Sequence, residues 1–579
     1  MPTSPIVNFK VENNNVLVTT PQTGISCLVA RTTKGPYNDP SNLLTTFAQF
    51  KNLFGEEIVP DGTPSNIEKA FMGGSKLRII RVPGAGYFKG VLLNSATPSA
   101  NPPSTQQVPP AIMSLSHNGK SVTIGFYTKT YDEQIDGSDT FDAKFVLQGN
   151  TVFCTITGTG KTDVLEQMPV ITFKNNSSVN RTTVDYLQFY QFLTTSKFLE
   201  PVIKSVTGIA SPSIANIAKW LADEVDNTTL NLSVQIGGSA VSSTAVVRVS
   251  EPGSSGTAPT ASQWISSLEY LRDYSDFYHV GCSHIDQHLN LSSDQLEVHA
   301  AAKQLADELE EWGYMIEVPK YTTHYTSGTT VRDKASIITW IQTCIGSIGN
   351  SRNVWYFAGG IKYYDNNGIL VDSDILGTIM GLADNSGSKF GPWLSFAGIN
   401  RGCIYDGNGP STINFGAPAR YNDLNDLAGM FANVIVVKDT FNAGKQTMLW
   451  HNFTSQIKQD SFKFISIIQL IYYLKKMLRP ILESKIEEPN YIPTWMDIYL
   501  LVKPELDYLV EQNAMSEYTW SGDQNATGYA DLQVNNEADV RQGKYKAVLT
   551  FKDIVPMQEI TMSLVIDKTT KTSTIEVTE

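Results

Sequence analysis

The sequence has few cysteines, no CxxC pair and no excess of positive charge. Charged residues make up 17% of the 579 positions, and the formal net charge is −13 at pH 7. A negative field repels phosphate backbones, which argues against nucleic-acid binding as the main task. Widely spaced cysteines in odd number are typical of free thiols in a reducing compartment, so we expect folding in a cytoplasm. They are Cys27, Cys154, Cys282, Cys344 and Cys403.

A long apolar segment is also missing. The first residues, MPTSPIVNFKVENNN, lack the basic region and the run of roughly 7 to 15 apolar residues that a secretory signal needs, so general export is not expected. The most apolar stretch runs from Phe462 to Leu474 and is interrupted by Lys463, Ser466 and Gln469. It falls short of the roughly 18 apolar residues of a membrane span, and the pattern predicts a buried helix.

The motifs of catalytic sites are absent or incomplete. GTGKTD, from Gly158 to Asp163, resembles the end of a phosphate-binding loop, but the full loop needs a glycine where this sequence has Thr155. A hairpin turn is the preferred interpretation, with nucleotide binding as the alternative. There is no GxSxG elbow, and seven scattered histidines define no triad. We predict no enzyme activity and no cofactor.

A second segment has the residue types of a metal site. His284, Asp286 and His288 alternate along HIDQH, so on an extended chain their side chains would point to the same side. No further cysteine or carboxylate pattern completes the site, and the segment lies in a polar stretch after Cys282. An ordinary polar loop is the preferred interpretation, with a metal site as the alternative.

The apolar residues that are present predict several domains. Hydrophobic residues make up 41% of the chain, which is enough for packed cores. With a typical domain size of about 150 residues, a chain of 579 residues predicts three or four domains. Residues 23–90 combine the strand-like runs ISCLVA and LRIIRV with helices near Leu43 to Phe54 and Ser65 to Phe71. Helical and strand-like runs alternate again from 259 to 440. We predict a multidomain α+β or α/β chain with one α/β core built from two parts of the sequence.

The remaining segments differ in composition. Residues 91–258 are rich in Ser, Thr, Asn, Gly and Pro with short alternating runs, which predicts an inserted, mostly β domain. Residues 441–566 are predicted to form a C-terminal domain with two long helices and two strands. Residues 1–22 and 567–579 predict strand-forming terminal arms, because each has a short alternating run with little apolar surface. The arm residues expected to pair are Val16, Leu17, Val18, Thr574, Ile575 and Val577.

One predicted helix carries the clearest local cluster of charge. Lys475 and Arg479 lie one turn apart, with Lys476 beside them and Lys485 further along the chain. A solvated helix end is the simpler interpretation, because cations also suit the C-terminal end of a helix dipole. Contact with an acidic partner is the alternative.

Three further groups of residues follow one another along the chain. The first is Lys34 to Pro40 (KGPYNDP), Phe50, Phe54-Gly55, Ala70-Phe71 and Gly73-Gly74. The second is Pro392-Trp393, Ala397 to Gly402, and Leu424-Asn425 with NVIVVKDTFNAG. The third is Glu488-Pro489-Asn490, Trp495, Asn513 to Met515, Asn535-Asn536, Gly543 and Pro556.

Together these groups resemble the contractile phage tail sheath family. The inserted region has no such match, and where relatives often carry an Arg-Thr pair this chain has His451-Asn452-Phe453-Thr454. The resemblance implies an α/β tail-sheath core and assembly with itself, as homohexameric rings stacked into a helical sheath. It also implies tail tube, baseplate and tail terminator proteins as partners, assembly in the host cytoplasm and a final place in the virion tail, without nucleic-acid or membrane binding by the sheath itself.

The resemblance gives the charged helix and the arms candidate roles. Lys475, Lys476, Arg479 and Lys485 become tube-facing candidates, and the terminal arms would join neighbouring subunits by strand addition. Contraction would then drive the tube through the host cell envelope for genome ejection, using conformational free energy rather than nucleotide hydrolysis. The sheath of a bacteriocin-like injection particle would look the same in sequence. A cytoplasmic α/β nucleotide-dependent enzyme is the alternative from a different class.

Overall fold

The structure is a computed structural model of the chain. It describes residues 21–60, 64–85, 87, 90–96, 108–117, 119–128, 141–158, 164–176, 181–184, 186–196, 199–209, 213–225, 233–240, 242–251, 257–289, 292–319, 334–364, 370–404, 421–440, 444–458, 460–520, 540–557, 562–564 and 575–577.

The described residues form strands and helices with the following bounds. The strands are β1 (Ile25–Ala30), β2 (Leu43–Leu44), β3 (Lys76–Arg81), β4 (Val91–Leu92), β5 (Met113–His117), β6 (Lys120–Thr128), β7 (Phe141–Gln148), β8 (Thr151–Gly158), β9 (Val164–Asn176), β10 (Arg181–Val184), β11 (Leu199–Thr207), β12 (Ser233–Ile236), β13 (Ser239–Ala240), β14 (Val246–Glu251), β15 (His279–Cys282), β16 (Gly313–Glu317), β17 (Val354–Ala358), β18 (Ile361–Tyr364), β19 (Leu370–Ser373), β20 (Ala432–Thr440), β21 (Gly444–Leu449), β22 (Met515–Trp520), β23 (Leu549–Asp553), β24 (Met562–Leu564) and β25 (Ile575–Val577). The helices are α1 (Phe47–Phe54), α2 (Asn66–Met72), α3 (Tyr186–Thr195), α4 (Ile214–Val225), α5 (Ala261–Leu268), α6 (Ile285–His288), α7 (Ser292–Leu309), α8 (Lys334–Ile348), α9 (Leu376–Phe390), α10 (Tyr421–Gly429), α11 (Ile465–Glu483) and α12 (Ile492–Glu511).

An eight-stranded sheet organises the core. Its order is β2-β3-β1-β15-β16-β17-β20-β21. The strands from β3 to β20 run parallel, while β2 and β21 are antiparallel strands at the two edges. Strands from both parts of the sequence therefore share one sheet. The sheet extends through β21, beyond residue 440, where the sequence predicts that the C-terminal domain begins.

Helices cover both faces of this sheet. Leu28 and Ala30 of β1 pack into one cluster with α1, α2, α9, α11 and α12, while Cys27 and Val29 pack into another with α5, α7, α8 and α10. A parallel sheet needs such cover, because its strands are apolar on both sides. The first cluster also contains Trp520 of β22, so the C-terminal helices share their core with the sheet.

Helices α2 and α9 approach each other at glycines. A Cβ atom at Gly73 would lie 2.5 Å from the Cα of Gly381, and one at Gly377 would lie 1.9 Å from the carbonyl oxygen of Asn66. These separations are far below van der Waals contact, so no larger residue fits at the crossing without backbone movement. Gly73, the first residue of the Gly-Gly pair that follows α2, thus has a packing role.

The inserted region has a core of its own. Its strands form an eleven-stranded sheet, and its buried residues, from Leu92 to Ile236, form a cluster separate from the two clusters of the core. Two chain segments connect it to the core, and they are bridged by the Thr257 amide, which donates to the Ala85 carbonyl at 3.0 Å. The described part of this region is mostly β, with α3 and α4 packed against the sheet.

The C-terminal helices differ in detail from the sequence expectation. The sequence predicts a buried helix in the apolar stretch that begins at Phe462, but α11 begins only at Ile465. The preceding segment bonds to the sheet instead, with the Ser455 amide donating to the Val354 carbonyl at 2.9 Å. Helix α12 continues through Pro504 without a break. Within the described residues, no helix is both long enough and apolar enough to span a bilayer.

Candidate functional site: a basic helix seated on the core

Helix α11 packs across the end of the sheet at which the parallel strands begin. The Tyr472 hydroxyl donates to the Asn353 side-chain oxygen at 2.7 Å, just before β17. The Gln469 amide contacts the ring of His279, the first residue of β15, at 2.5 Å. The charged residues of α11 follow these contacts along the same helix, so they meet the segments that precede β15, β16 and β17.

Lys475 shares a carboxylate with an arginine of the core. Its Nζ lies 2.7 Å from Glu310 Oε2, while Arg352 donates to the other oxygen of the same carboxylate. Partial burial alone would raise the pKa of Glu310, but the hydrogen bonds from the two cations hold it below its usual range. Lys475 is therefore part of a three-residue ion cluster within the chain.

Lys476 is directed into the core. Its ammonium donates to the carbonyl oxygens of Ser275 and, at 2.8 Å, of Phe277, and it lies 4.8 Å from the centroid of the Tyr278 ring. Burial lowers the pKa of Lys476 to about 7. This side chain is therefore only partly charged near neutral pH, which weakens it as an electrostatic contact for a partner.

The other two cations also have carboxylate partners. Arg479 donates to Glu311, and its side chain remains 46% exposed. Lys485 Nζ lies 3.5 Å from Asp497 Oδ2 on α12, with only 15% of the lysine side chain exposed. The structure thus places the four predicted residues in two settings. Lys475 and Arg479, one turn apart, meet the consecutive acids Glu310 and Glu311, while Lys476 and Lys485 make separate contacts.

A buried polar cluster lies beneath α11, and no motif of the sequence predicts it. We call it the hub, and its members are Ser26, Ser75, His279, Asp384 and Gln469. Nδ1 of His279 lies 2.9 Å from Asp384 Oδ1, whose second oxygen accepts from the Ser75 hydroxyl at 2.6 Å. All five residues are at most 3% exposed. The hub joins β1, β15, α9 and α11 and the residue that precedes β3.

The hub contains Ser, His and Asp but lacks the geometry of a nucleophilic triad. Both Ser26 Oγ, at 3.0 Å, and Asp384 contact Nδ1 of His279. A triad places the serine on the opposite ring nitrogen, which here contacts Gln469. Ser26 is also fully buried. The contacts hold elements together and give no substrate access to the hydroxyl.

The HIDQH segment forms a second buried cluster, in which its two histidines differ in charge. His284 Nδ1 lies 2.6 Å from Asp374 Oδ2, and its Nε2 lies 3.8 Å from Glu57 Oε1. Burial alone would lower the pKa of His284, but Glu57 and Asp374 raise it to about 9. Burial lowers the pKa of His288 to about 3. His284 therefore acts as a cation between carboxylates.

A metal would need a different arrangement from this one. The segment from Ile285 to His288 is one helical turn, so its alternate residues do not share a side as they would on an extended chain. Among the residues that the structure describes, no group of three or more His, Cys, Asp or Glu is arranged to hold a metal ion.

The GTGKTD segment connects two adjacent antiparallel strands. Gly158 ends β8, and Thr157 is opposite Val164 in the pairing of β8 with β9, while residues 159–163 lie outside the described residues. A phosphate-binding loop of this type leads from a strand into a helix, and here it leads into a strand. This strand pairing agrees with the hairpin interpretation.

The arm residues are only partly described. Val16, Leu17, Val18 and Thr574 lie outside the described residues. Ile575 and Val577 belong to β25, which pairs antiparallel with β24 of the same chain. Their pairing with another subunit stays a prediction.

Several solved structures are similar to this chain. The crystal structure of a sheath tail protein from Desulfitobacterium hafniense has a TM-score of 0.43 and 12% identity, over 95% of this chain and 100% of that one. A sheath tail protein from Listeria innocua has a TM-score of 0.44 and 9% identity, over 92% and 95%. The contracted helical sheath of the anti-feeding prophage has a TM-score of 0.39 and 14% identity, over 54% and 76%. No family model and no curated relative matches the chain. Identities this low transfer no residue's role.

Proposed function

We propose that the chain is a structural subunit of a contractile tail sheath, which polymerises as stacked hexameric rings around a tail tube. The observation that carries the proposal is the placement of the three family-like groups of residues. The described residues of each group form a junction between elements of the core or of the C-terminal helices, while residues 441–443, Asn535 and Asn536 lie outside the described residues.

The first group builds the loop that precedes α1. The Arg81 guanidinium donates to the carbonyls of Thr32 and, at 2.8 Å, of Gly35, and it lies 4.0 Å from the centroid of the Tyr37 ring. Gly35 has φ +98°, and a Cβ atom there would lie 2.6 Å from the Phe54 ring. Gly35, Tyr37 and Phe54, all members of the first group, thus depend on one another.

The second and third groups hold the C-terminal helices. Trp393 packs edge-on against Tyr473 of α11, with ring centroids 5.2 Å apart. Trp495 Nε1 donates to the Asn490 side chain at 2.8 Å, and the Asn490 amide donates to the Lys544 carbonyl at 3.0 Å. These contacts fix the turn between α11 and α12 against the segment that precedes β23.

The surface of the C-terminal part supports assembly. Ile486, Leu500 and Met557 are 66%, 60% and 77% exposed, and many of the large apolar side chains that the described residues expose lie after residue 480. We take this share of exposed apolar side chains as support for a contact with another molecule. Within the described residues, β22 and β23 form a sheet of two strands. In this proposal the outer edge of β23 would be the template for an arm strand from a neighbouring subunit.

The mechanism in this proposal is mechanical. The core sheet and the C-terminal helices share one hydrophobic cluster and the hub, so they would move as one rigid body between an extended and a contracted arrangement. The arms would keep neighbouring subunits connected during this motion. The same proposal covers a bacteriocin-like injection particle, whose sheath would do the same mechanical work.

Arm deletion tests the proposal. We expect that removing residues 1–20 or 568–579 abolishes polymer formation, because each deletion removes a strand that joins subunits. Sedimentation measures the polymer, and circular dichroism with thermal unfolding measures the fold of the monomer. Polymers of normal length from both truncated chains would contradict the arm role, and unfolded monomers would show that the arms are core strands.

Charge exchange at Arg479 tests its tube contact. Arg479→Glu should weaken tube attachment and lower the free energy of unfolding by about 1 kcal/mol, because the pair with Glu311 is lost. Adding Glu311→Arg restores an internal pair with the charges exchanged. If Arg479 holds the tube, the double variant regains stability but not attachment in a co-sedimentation assay. Regained attachment would assign Arg479 a purely internal role.

A further inference from the structure

The N-terminal arm leaves the core at a glycine that no other residue can replace without movement. We call Thr23 and Gly24 the arm root. Gly24 has φ +74°, and a Cβ atom there would lie 1.9 Å from Ser388 Oγ and 2.9 Å from the Asp384 carbonyl oxygen. Both neighbours belong to the last part of α9. The chain can therefore enter β1 along this path only with glycine at this position.

Three elements hold the arm root in place. The Lys76 amide of β3 donates to the Gly24 carbonyl at 3.0 Å. The Ser388 hydroxyl of α9 donates to the Thr23 carbonyl at 3.4 Å. The Tyr278 amide donates to the Ile25 carbonyl at 2.9 Å, immediately after the root. The direction in which the chain leaves the core is thus fixed by backbone contacts rather than by the arm itself.

The arm root lies next to the hub in sequence and in space. Ser26 follows the root by two residues and contacts His279, while Asp384 packs against Gly24 and also contacts His279. The far side of the His279 ring meets Gln469 of α11. An unbroken series of buried contacts therefore runs from the root to the helix that carries the C-terminal part.

We propose that the arm root is a fixed exit that aims the N-terminal arm at a second copy of this chain and passes load from that arm through the hub to α11. This inference rests on the proposed sheath function. A rigid exit lowers the conformational entropy that the arm loses on pairing with its neighbour. A load path through packed and hydrogen-bonded groups lets one subunit's rotation act on the next.

Gly24→Ala in the full-length chain tests the exit. We expect a loss of roughly tenfold or more in polymer yield, measured by sedimentation and negative-stain microscopy, because the added methyl group displaces the root. Gly149→Ala is the matched control, since Gly149 also has positive φ, at +60°, but has open space around it.

Gln469→Met tests the load path independently of the exit. Methionine has a similar shape but cannot donate a hydrogen bond to His279. We expect this variant to form polymers. Hydrogen exchange should show, however, that α11 is no better protected in these polymers than in the monomer. Normal polymer yield from Gly24→Ala, or unchanged α11 protection in Gln469→Met polymers, overturns the inference. Failure of the unmodified chain to polymerise overturns the sheath function itself, so the two failures are distinguishable.

Discussion

Replacing Gly377 by alanine should lower the free energy of unfolding by about 3 kcal/mol or more. The added methyl group would lie 1.9 Å from the carbonyl oxygen of Asn66, and backbone atoms cannot rotate away as a side chain can. Helices α2 and α9 would have to separate along their crossing, which would open the core cluster that both share. Chemical denaturation of the purified monomer measures the change.

Gly387→Ala is the matched control for this prediction. Gly387 belongs to the same helix, but the nearest atom to its added methyl group would be 3.9 Å away, in Pro392. Alanine favours the helix by about 1 kcal/mol over glycine, so this variant should be as stable as the unmodified chain or more so. Equal losses from both substitutions would contradict the close crossing of α2 and α9.

Replacing His284 by asparagine should destabilise the chain by about 3 to 5 kcal/mol near neutral pH, because the buried carboxylates of Glu57 and Asp374 would lose the cation that lies between them. Asparagine suits the left-handed backbone at this position, where φ is 50°, so the loss reports the side chain. Chemical denaturation of both chains at several pH values measures it.

The pH dependence of this loss has a definite sign. The folded pKa of His284, about 9, lies above its unfolded value of about 6.5, so its stabilisation is complete below pH 6.5 and is lost as the pH rises through 9. The gap between the two chains should therefore shrink by about 2 to 3 kcal/mol from pH 7 to pH 10. His288→Asn is the control. His288 is neutral in both states over this range, so its effect should not vary with pH.

The elements that follow local periodicity could be predicted from the sequence. ISCLVA and LRIIRV became β1 and β3, and the expected helix at Ser65 to Phe71 became α2, where Ser65 caps the helix by accepting from the Glu68 amide. The helix expected from Leu43 begins only at Phe47, because Leu43 and Leu44 pair with β3 instead. Tertiary pairing prevailed over local pattern there.

Only part of the candidate site could be predicted from the sequence. One-turn spacing correctly put Lys475 and Arg479 together, but their partners Glu310 and Glu311 are over 160 residues away, and no local signal connects them. The hub was missed for the same reason. One clue was present, an aspartate within the apolar run of α9, since a buried carboxylate needs partners. Asp384 is that residue, and its partners His279 and Ser75 come from two other segments of the chain.

The most direct test of the sheath function is electron microscopy of the purified full-length protein in negative stain, with and without a preformed tail tube. The account predicts hollow tubular polymers with a regular ring repeat, and more of them when the tube is present. A chain that stays monomeric under both conditions, while its circular dichroism shows a folded protein, would contradict it.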